Sequence, residues 1–198
     1  MIRALYTAAS GMSAQQSNID TVAHNLANVN TTGFKKSHME FEDLVYQQMR
    51  APGSATSTST EAPVGLETGL GTKPVSTARD FSTGNLRSTS APLDLAIEGR
   101  GFFQIAMPDG TTGYTRAGSL HLDAEGRIVT AEGYALQPEM TIPENATSIS
   151  ISRAGVVTVT VAGQSAAQQV GTIELASFQN PAGLLALCLL YTSPSPRD

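Results

Sequence analysis

The chain has 198 residues, 40% hydrophobic and only 15% charged, with 19 Ser, 22 Thr and 25 Ala carrying much of its composition. Its 12 basic and 17 acidic residues give a net charge of −5, which excludes the basic face that nucleic acid or an anionic membrane surface demands. A single cysteine, Cys188, excludes an internal disulfide framework and any multi-cysteine metal site.

Leu5, Met12, Ile19 and Leu26 recur every seven residues, and Ile2, Ala9, Gln16, Ala23 and Asn30 run beside them. This a/d pattern predicts a coiled-coil-type helix from Ile2 to about Val29, roughly 40 Å long at about 1.5 Å per residue. Gly11 weakens it by about 1 kcal/mol relative to Ala, and Asn30-Thr31-Thr32-Gly33 supplies the stop. Polar residues interrupt this N-terminus before a secretory apolar region can form. The opposite face carries Gln15, Ser17, Asn18, Thr21, Asn25 and Asn28. An uncharged polar face suits close packing among identical copies, since it opposes no like charges. The heptad alone is equally consistent with an amphipathic helix docked on its own domain.

Phe41, Leu44, Val45 and Met49 have helical spacing in a segment too short to decide. The next stretch, Ala51 to Thr60, reads APGSATSTST and has nothing to bury. In isolation it is a flexible loop, continued by Gly65, Gly69 and Gly71. From Lys73 to Phe178 the period changes. Short β-branched runs such as Phe102–Ile105, Arg127–Thr130, Ser148–Ile151 and Val156–Val161 alternate with turn signals: Pro108-Asp109-Gly110, Ala117-Gly118, Ala124-Glu125-Gly126, Glu132-Gly133, Ala154-Gly155 and Ala162-Gly163. Such spacing predicts antiparallel hairpins, with no helical crossovers to make the sheet parallel. The fold class is therefore α+β: a long N-terminal helix followed by a mostly antiparallel all-β domain. Leu184–Tyr191 is an apolar run too short for a membrane span, and Pro194 and Pro196 exclude a regular element after it.

Chemistry-bearing patterns are sparse. His24, His38 and His121 lack metal-ligand spacing. Neither a nucleophile elbow nor a phosphate-binding loop occurs. The pairs Gly99/Gly101 and Gly69/Gly71 read as turns or close backbone approaches, and Asp94, Glu98, Asp109 and Asp123 as solvated turn positions. No catalytic, cofactor-binding or metal residue is assigned, and no small-molecule substrate is expected.

One set of motifs is specific. Ser10-Gly11-Met12, Gln15-Gln16 and Asn25-Leu26-Ala27-Asn28-Val29-Asn30-Thr31-Thr32-Gly33-Phe34-Lys35 closely resemble the N-terminal signature of the flagellar axial proteins, the rod, hook and hook-associated subunits of bacterial flagella. Leu93–Gly99 with Gly101-Phe102-Phe103, then Tyr114–Gly118, Gly126–Thr130 and Gly133-Tyr134, resemble the core-domain motif of rod and hook proteins. Tyr46–Gly53 up to Gly69-Leu70-Gly71, and Ile142–Ala146, are similar to the distal-rod branch of that family. The resemblance covers about residues 1–184. Arg100 departs from it by one surface charge. The tail departs more: the family continues to a C-terminal heptad helix, whereas LCLLYTSPSPRD reads as a non-native ending, and Cys188 falls within it.

The resemblance implies a non-enzymatic structural subunit of the distal rod, self-assembling into a helical tube that transmits torque. It implies export through the flagellar type III apparatus without a cleaved signal and folding coupled to assembly. The implied partners are copies of the chain, neighbouring rod and hook subunits, the export apparatus and the surrounding basal-body rings, in a rod that crosses the periplasm. Ile2, Leu5, Ala9, Met12, Ile19, Ala23 and Leu26 would form the inner seam, left without an intrachain mate and fraying in the monomer. Asn25, Asn28, Gly33 and Phe34 would shape the helix end and the join to the outer domain, and Ala51–Gly71 would bridge neighbouring subunits. The expected organisation is an axial helix over 1–33, a connecting region over 34–72, a β-rich core over 73–183 and an anomalous tail over 184–198. Rival readings are a hook or proximal-rod subunit, a secreted β-domain binding module on a helical oligomerisation stalk, and an enzyme, which a deep pocket with two converging ionisable groups would support.

Overall fold

The structure is a computed structural model that describes residues 2–55, 57, 60–163 and 166–192. Pro194 and Pro196 lie outside the described residues. The fold is α+β: among the described residues, one α-helix is followed by mostly antiparallel strands. Its chain forms two compact units, Met1–Val29 with Lys36–Asp80 and Asn30–Lys35 with Phe81–Asp198.

The first unit contains α1 (Ile2–Ala27), β1 (Ser37–Asp43), β2 (Gln47–Arg50), β3 (Leu66–Thr68) and β4 (Thr72–Arg79). Strands β1 and β4 form an antiparallel ribbon that pairs Ser37 with Arg79 and Asp43 with Thr72. Lys36–Asp80 and Lys73–Glu42 ion pairs brace its two ends at 3.2 and 3.1 Å. A second hairpin pairs β2 with β3. The helical spacing of Phe41, Leu44, Val45 and Met49 is thus not expressed. Pairing of Phe41 with Pro74, and of the strand around Met49 with Leu66–Thr68, decides the conformation, and a local window cannot see that. The Ser/Thr-rich loop closes on itself at its base. Gly53 N–H donates to Ala62 O, and Ala62 N–H to Ser54 O, both at 2.9 Å, and Ala62 is buried.

Among its described residues the second unit carries eleven strands: β5 (Phe102–Ala106), β6 (Thr112–Thr115), β7 (Leu120–Leu122), β8 (Ile128–Thr130), β9 (Leu136–Gln137), β10 (Ala146–Ile151), β11 (Val156–Val161), β12 (Gln168–Thr172), β13 (Leu175–Ala176), β14 (Leu185–Leu187) and β15 (Leu190–Thr192). A six-stranded sheet runs β13-β5-β6-β15-β14 with β9 also on β5; β10-β11-β12 form a three-stranded meander and β7-β8 a hairpin. Alternation explains the core. Val157, Val159 and Val161 turn inward from β11 while the threonines between them turn out. They pack with Phe103, Ile105, Leu120, Ile128, Leu136, Met140 and Ile142.

The predicted turns at Asp109-Gly110, Glu125-Gly126, Glu132-Gly133 and Ala154-Gly155 all join successive strands. In the first, Asp109 Oδ1 accepts from Thr111 N–H at 3.0 Å and Thr111 Oγ1 at 2.6 Å, bonds that hold its carboxyl below the usual range. In the second, burial raises the Asp123 carboxyl. Bonds from the Arg127 N–H at 2.7 Å, the Arg127 guanidinium at 2.8 Å and the Glu125 N–H at 3.1 Å outweigh this and lower it.

Ala117-Gly118 behaves differently. It closes no hairpin, because β7 pairs with β8 and not with β6. Instead Gly118 O accepts from Leu95 N–H at 2.8 Å, and a Cβ on Gly118 would fall 1.6 Å from Leu95 O. Glycine is required there by a close crossing of two backbones.

The apolar run after Leu184 folds as a hairpin. Leu190 and Tyr191 of β15 pair with Thr115 and Tyr114 of β6 and are both buried. Thr115 Oγ1, itself buried, donates to Leu189 O at 3.0 Å. Cys188 sits exposed at the hairpin tip.

Candidate assembly surface

Helix α1 carries two stripes at the same heptad spacing on opposite sides. One is apolar. Leu5, Met12, Ile19 and Leu26 are 65–70% exposed and Ile2 is 71% exposed. Ala9 and Ala23 are exposed with them, and Tyr6, Val22 and Val29 widen the stripe. Seven expected seam residues therefore share one open face. Burying a side chain such as Leu or Met is worth about 1.5–3 kcal/mol, so this face holds a large unused association energy.

The other stripe is small and polar: Thr7, Ser10, Ala14, Ser17, Asn18, Thr21, Asn25 and Asn28. It packs on the β1–β4 ribbon of its own unit, with Ala14 buried and the others half-buried. Two side chains fasten it. Asn25 Nδ2 donates to Ser37 O at 2.7 Å and Asn25 Oδ1 accepts from Ser37 N–H at 2.9 Å. Ser10 Oγ donates to Thr7 O at 2.8 Å and accepts from Thr72 N–H at 3.4 Å. Near the helix start Arg3 Nη1 donates to Gln47 Oε1.

The polar face docks on the chain's own ribbon, one of the two arrangements the heptad left open, and Asn25 and Ser10 satisfy backbone groups at the ribbon's ends. The seam residues Leu5, Met12, Ile19 and Leu26 stay open, while the opposite stripe docks the helix on the chain's own ribbon. Sequence reasoning missed Thr7, Ser10 and Ala14 as docking residues. The signal was available as a second heptad of small residues, offset from the first.

Asn25 makes a paired bond that alanine cannot replace. Asn25→Ala is expected to cost about 1–3 kcal/mol, seen as earlier thermal loss of helical circular dichroism. Ser10→Ala, whose bond to the ribbon is long, is expected to cost about 1 kcal/mol or less.

The remaining expected residues shape the chain beyond the helix. Asn28 closes its last turn, with N–H and Nδ2 both donating to His24 O at 3.2 and 3.0 Å. Gly33 and Phe34 belong to the second unit. Phe34 N–H donates to Thr31 O at 3.2 Å. Gly33 has φ +78°, and a Cβ on it would lie 2.8 Å from Ala117 Cα. Among the described residues, no cluster of three or more His, Cys, Asp or Glu is placed to hold a metal ion.

Comparison with known proteins gives this surface its context. Residues 5–35 match the family model described as flagella basal body rod protein. Residues 96–159 match the model described as flagellar hook protein FlgE/F/G D1 domain. The flagellar basal-body rod protein FlgG of Borreliella burgdorferi is 48% identical over 189 residues, which span 94% of this chain and 71% of that protein. The chain belongs to the flagellar basal-body rod protein family. FlgG of Caulobacter vibrioides is 47% identical, again over 94% of this chain and 71% of the relative. A flagellar hook protein FlgE from Helicobacter mustelae is 41% identical, but over 69% of this chain and 30% of the hook protein. The family match over 5–35 takes in all of the apolar stripe from Leu5 onward, together with Asn25, Asn28, Gly33 and Phe34.

Proposed function

We propose that this rod-family chain is a structural subunit of the distal rod that polymerises into a helical tube and transmits torque. The carrying observation is the outward apolar heptad of α1, held in place by the opposite polar stripe. A helix docked in this way presents Ile2, Leu5, Ala9, Met12, Ile19, Ala23 and Leu26 to neighbouring subunits, where their burial drives association. Contacts that repeat without closing a ring generate an open tube.

In this reading the partners are copies of the chain, adjoining rod and hook subunits and the surrounding rings. The chain reaches the basal body through the flagellar export apparatus without signal cleavage. The Ala51–Gly71 segment bridges neighbours, and Asn25, Asn28, Gly33 and Phe34 fix the geometry of the helix end. The function is mechanical and calls for no catalytic group or cofactor.

The test is incorporation. A tagged chain is expressed in cells lacking their own distal-rod subunit, and hook–basal bodies are purified. The expected result is tag along the distal rod in electron micrographs. Tag recovered outside the cells or in the periplasm, but never in basal bodies, would overturn the reading.

A further inference from the structure

Arg116 directly follows β6 and has an unusual set of partners. Its Nε donates to Gly101 O at 2.9 Å, its Nη1 to Phe81 O at 2.8 Å and its Nη2 to Gly99 O. Its Cζ lies 5.4 Å from the centroid of the Phe102 ring. Burial lowers its pKa, yet a guanidinium stays charged in any protein setting. The charge is therefore spent on three main-chain carbonyls from two separate stretches of chain.

Those stretches have a common position in the fold. Phe81 is where the chain enters the second unit after Asp80, and Asn30–Lys35 is its earlier passage into the same unit. Lys35 Nζ donates to Ser82 O at 2.7 Å, tying the two passages together. Gly33 rests on the backbone of Ala117, the neighbour of Arg116. The Phe81 ring meets Phe102 edge to face at 5.7 Å, and Phe102 meets Phe178 in the same way at 5.7 Å. An apolar side chain could fill this aromatic corner. Only a planar fork of N–H donors can also reach three carbonyls lying in different directions.

We infer that Arg116 is a positioning residue: it pins the entering chain at Phe81 and the Gly99–Gly101 loop to the end of β6. If the chain works as a rod subunit, force carried along these passages is delivered to the sheet at this pin. The pin itself does not depend on that reading.

Limited chymotrypsin digestion of the full chain at micromolar concentration, with cuts mapped by mass spectrometry, tests it. In Arg116→Met, cleavage after the half-buried Phe81 should rise at least tenfold. Cleavage near Leu86, exposed and outside the pin, should change less than twofold, and Phe103 in the core should stay uncut. Arg116→Lys keeps the charge and the aliphatic stem, and its single ammonium cannot span three carbonyls. It should fold normally yet show the same rise at Phe81. If Arg116→Met does not fold, Arg116→Lys decides alone. An unchanged rate at Phe81, or a parallel rise at Phe81 and Phe103, would overturn the inference. Digestion of the isolated chain is independent of incorporation into basal bodies, so the two readings fail separately.

Discussion

Replacing Gly118 by alanine is expected to lower the melting temperature of the second unit by on the order of 10 °C. The added Cβ would stand 1.6 Å from Leu95 O, so the two crossing backbones must part. Separation sacrifices the 2.8 Å bond from Leu95 N–H to Gly118 O. It also disturbs Leu93 and Leu120 in the core on either side of the crossing. Strain, a lost hydrogen bond and loosened packing together exceed the ordinary effect of about 1 kcal/mol for a point substitution, and a cost of about 3–5 kcal/mol follows. Differential scanning calorimetry measures it directly. The neighbouring Ala117→Gly leaves that crossing intact and should shift the transition far less. A Gly118→Ala chain melting within about 2 °C of the parent would mean that the crossing yields more cheaply than close packing permits.

Placing a carboxylate in the apolar stripe is expected to abolish rod formation while leaving the subunit folded. Ile19 is 65% exposed, so Ile19→Glu should change the stability of the isolated chain by about 0.5 kcal/mol at most. In a packed seam each copy must bury that charge without a partner, at a cost of several kcal/mol per subunit. The penalty recurs at every subunit, so assembly fails outright. Purified basal bodies from cells carrying only the variant should lack the distal rod in electron micrographs, with unchanged helical circular dichroism of the purified chain. Rods of normal length and number would show that Ile19 does not lie in a subunit contact.

The two outcomes rest on features that differ in how legible they were. The long helix, the hairpins of the β region and most turn positions follow from local periodicity and from residues such as Asp109 and Gly110, which act within a few positions. The apolar stripe also follows, because a heptad is a property of one helix, but its openness does not, because the heptad is equally consistent with a stripe docked on its own domain. Residues 37–50 do not, because the partners of β1 and β2 lie in β4 and β3 and only the folded chain brings them together. Gly118 was legible as a turn glycine but not as a backbone crossing, since Leu95 stands outside any turn window. Arg116 was visible only as part of a motif. Its three carbonyl partners come from Phe81 and from the Gly99–Gly101 loop, and no spacing rule connects them.

The polar stripe of α1 has a further consequence in the angular setting of the helix. Ser10 and Asn25 are fifteen residues apart, about 22 Å along the axis, and each bonds a fixed backbone group of the ribbon. Greasy contacts tolerate rolling; directional bonds at two distant points do not. A slip of one residue would turn the helix by about 100° and swing Leu5, Met12, Ile19 and Leu26 away from their heading. The hydroxyl and the amide thus act as an index mark, setting the azimuth of the surface that neighbours would read before any neighbour arrives.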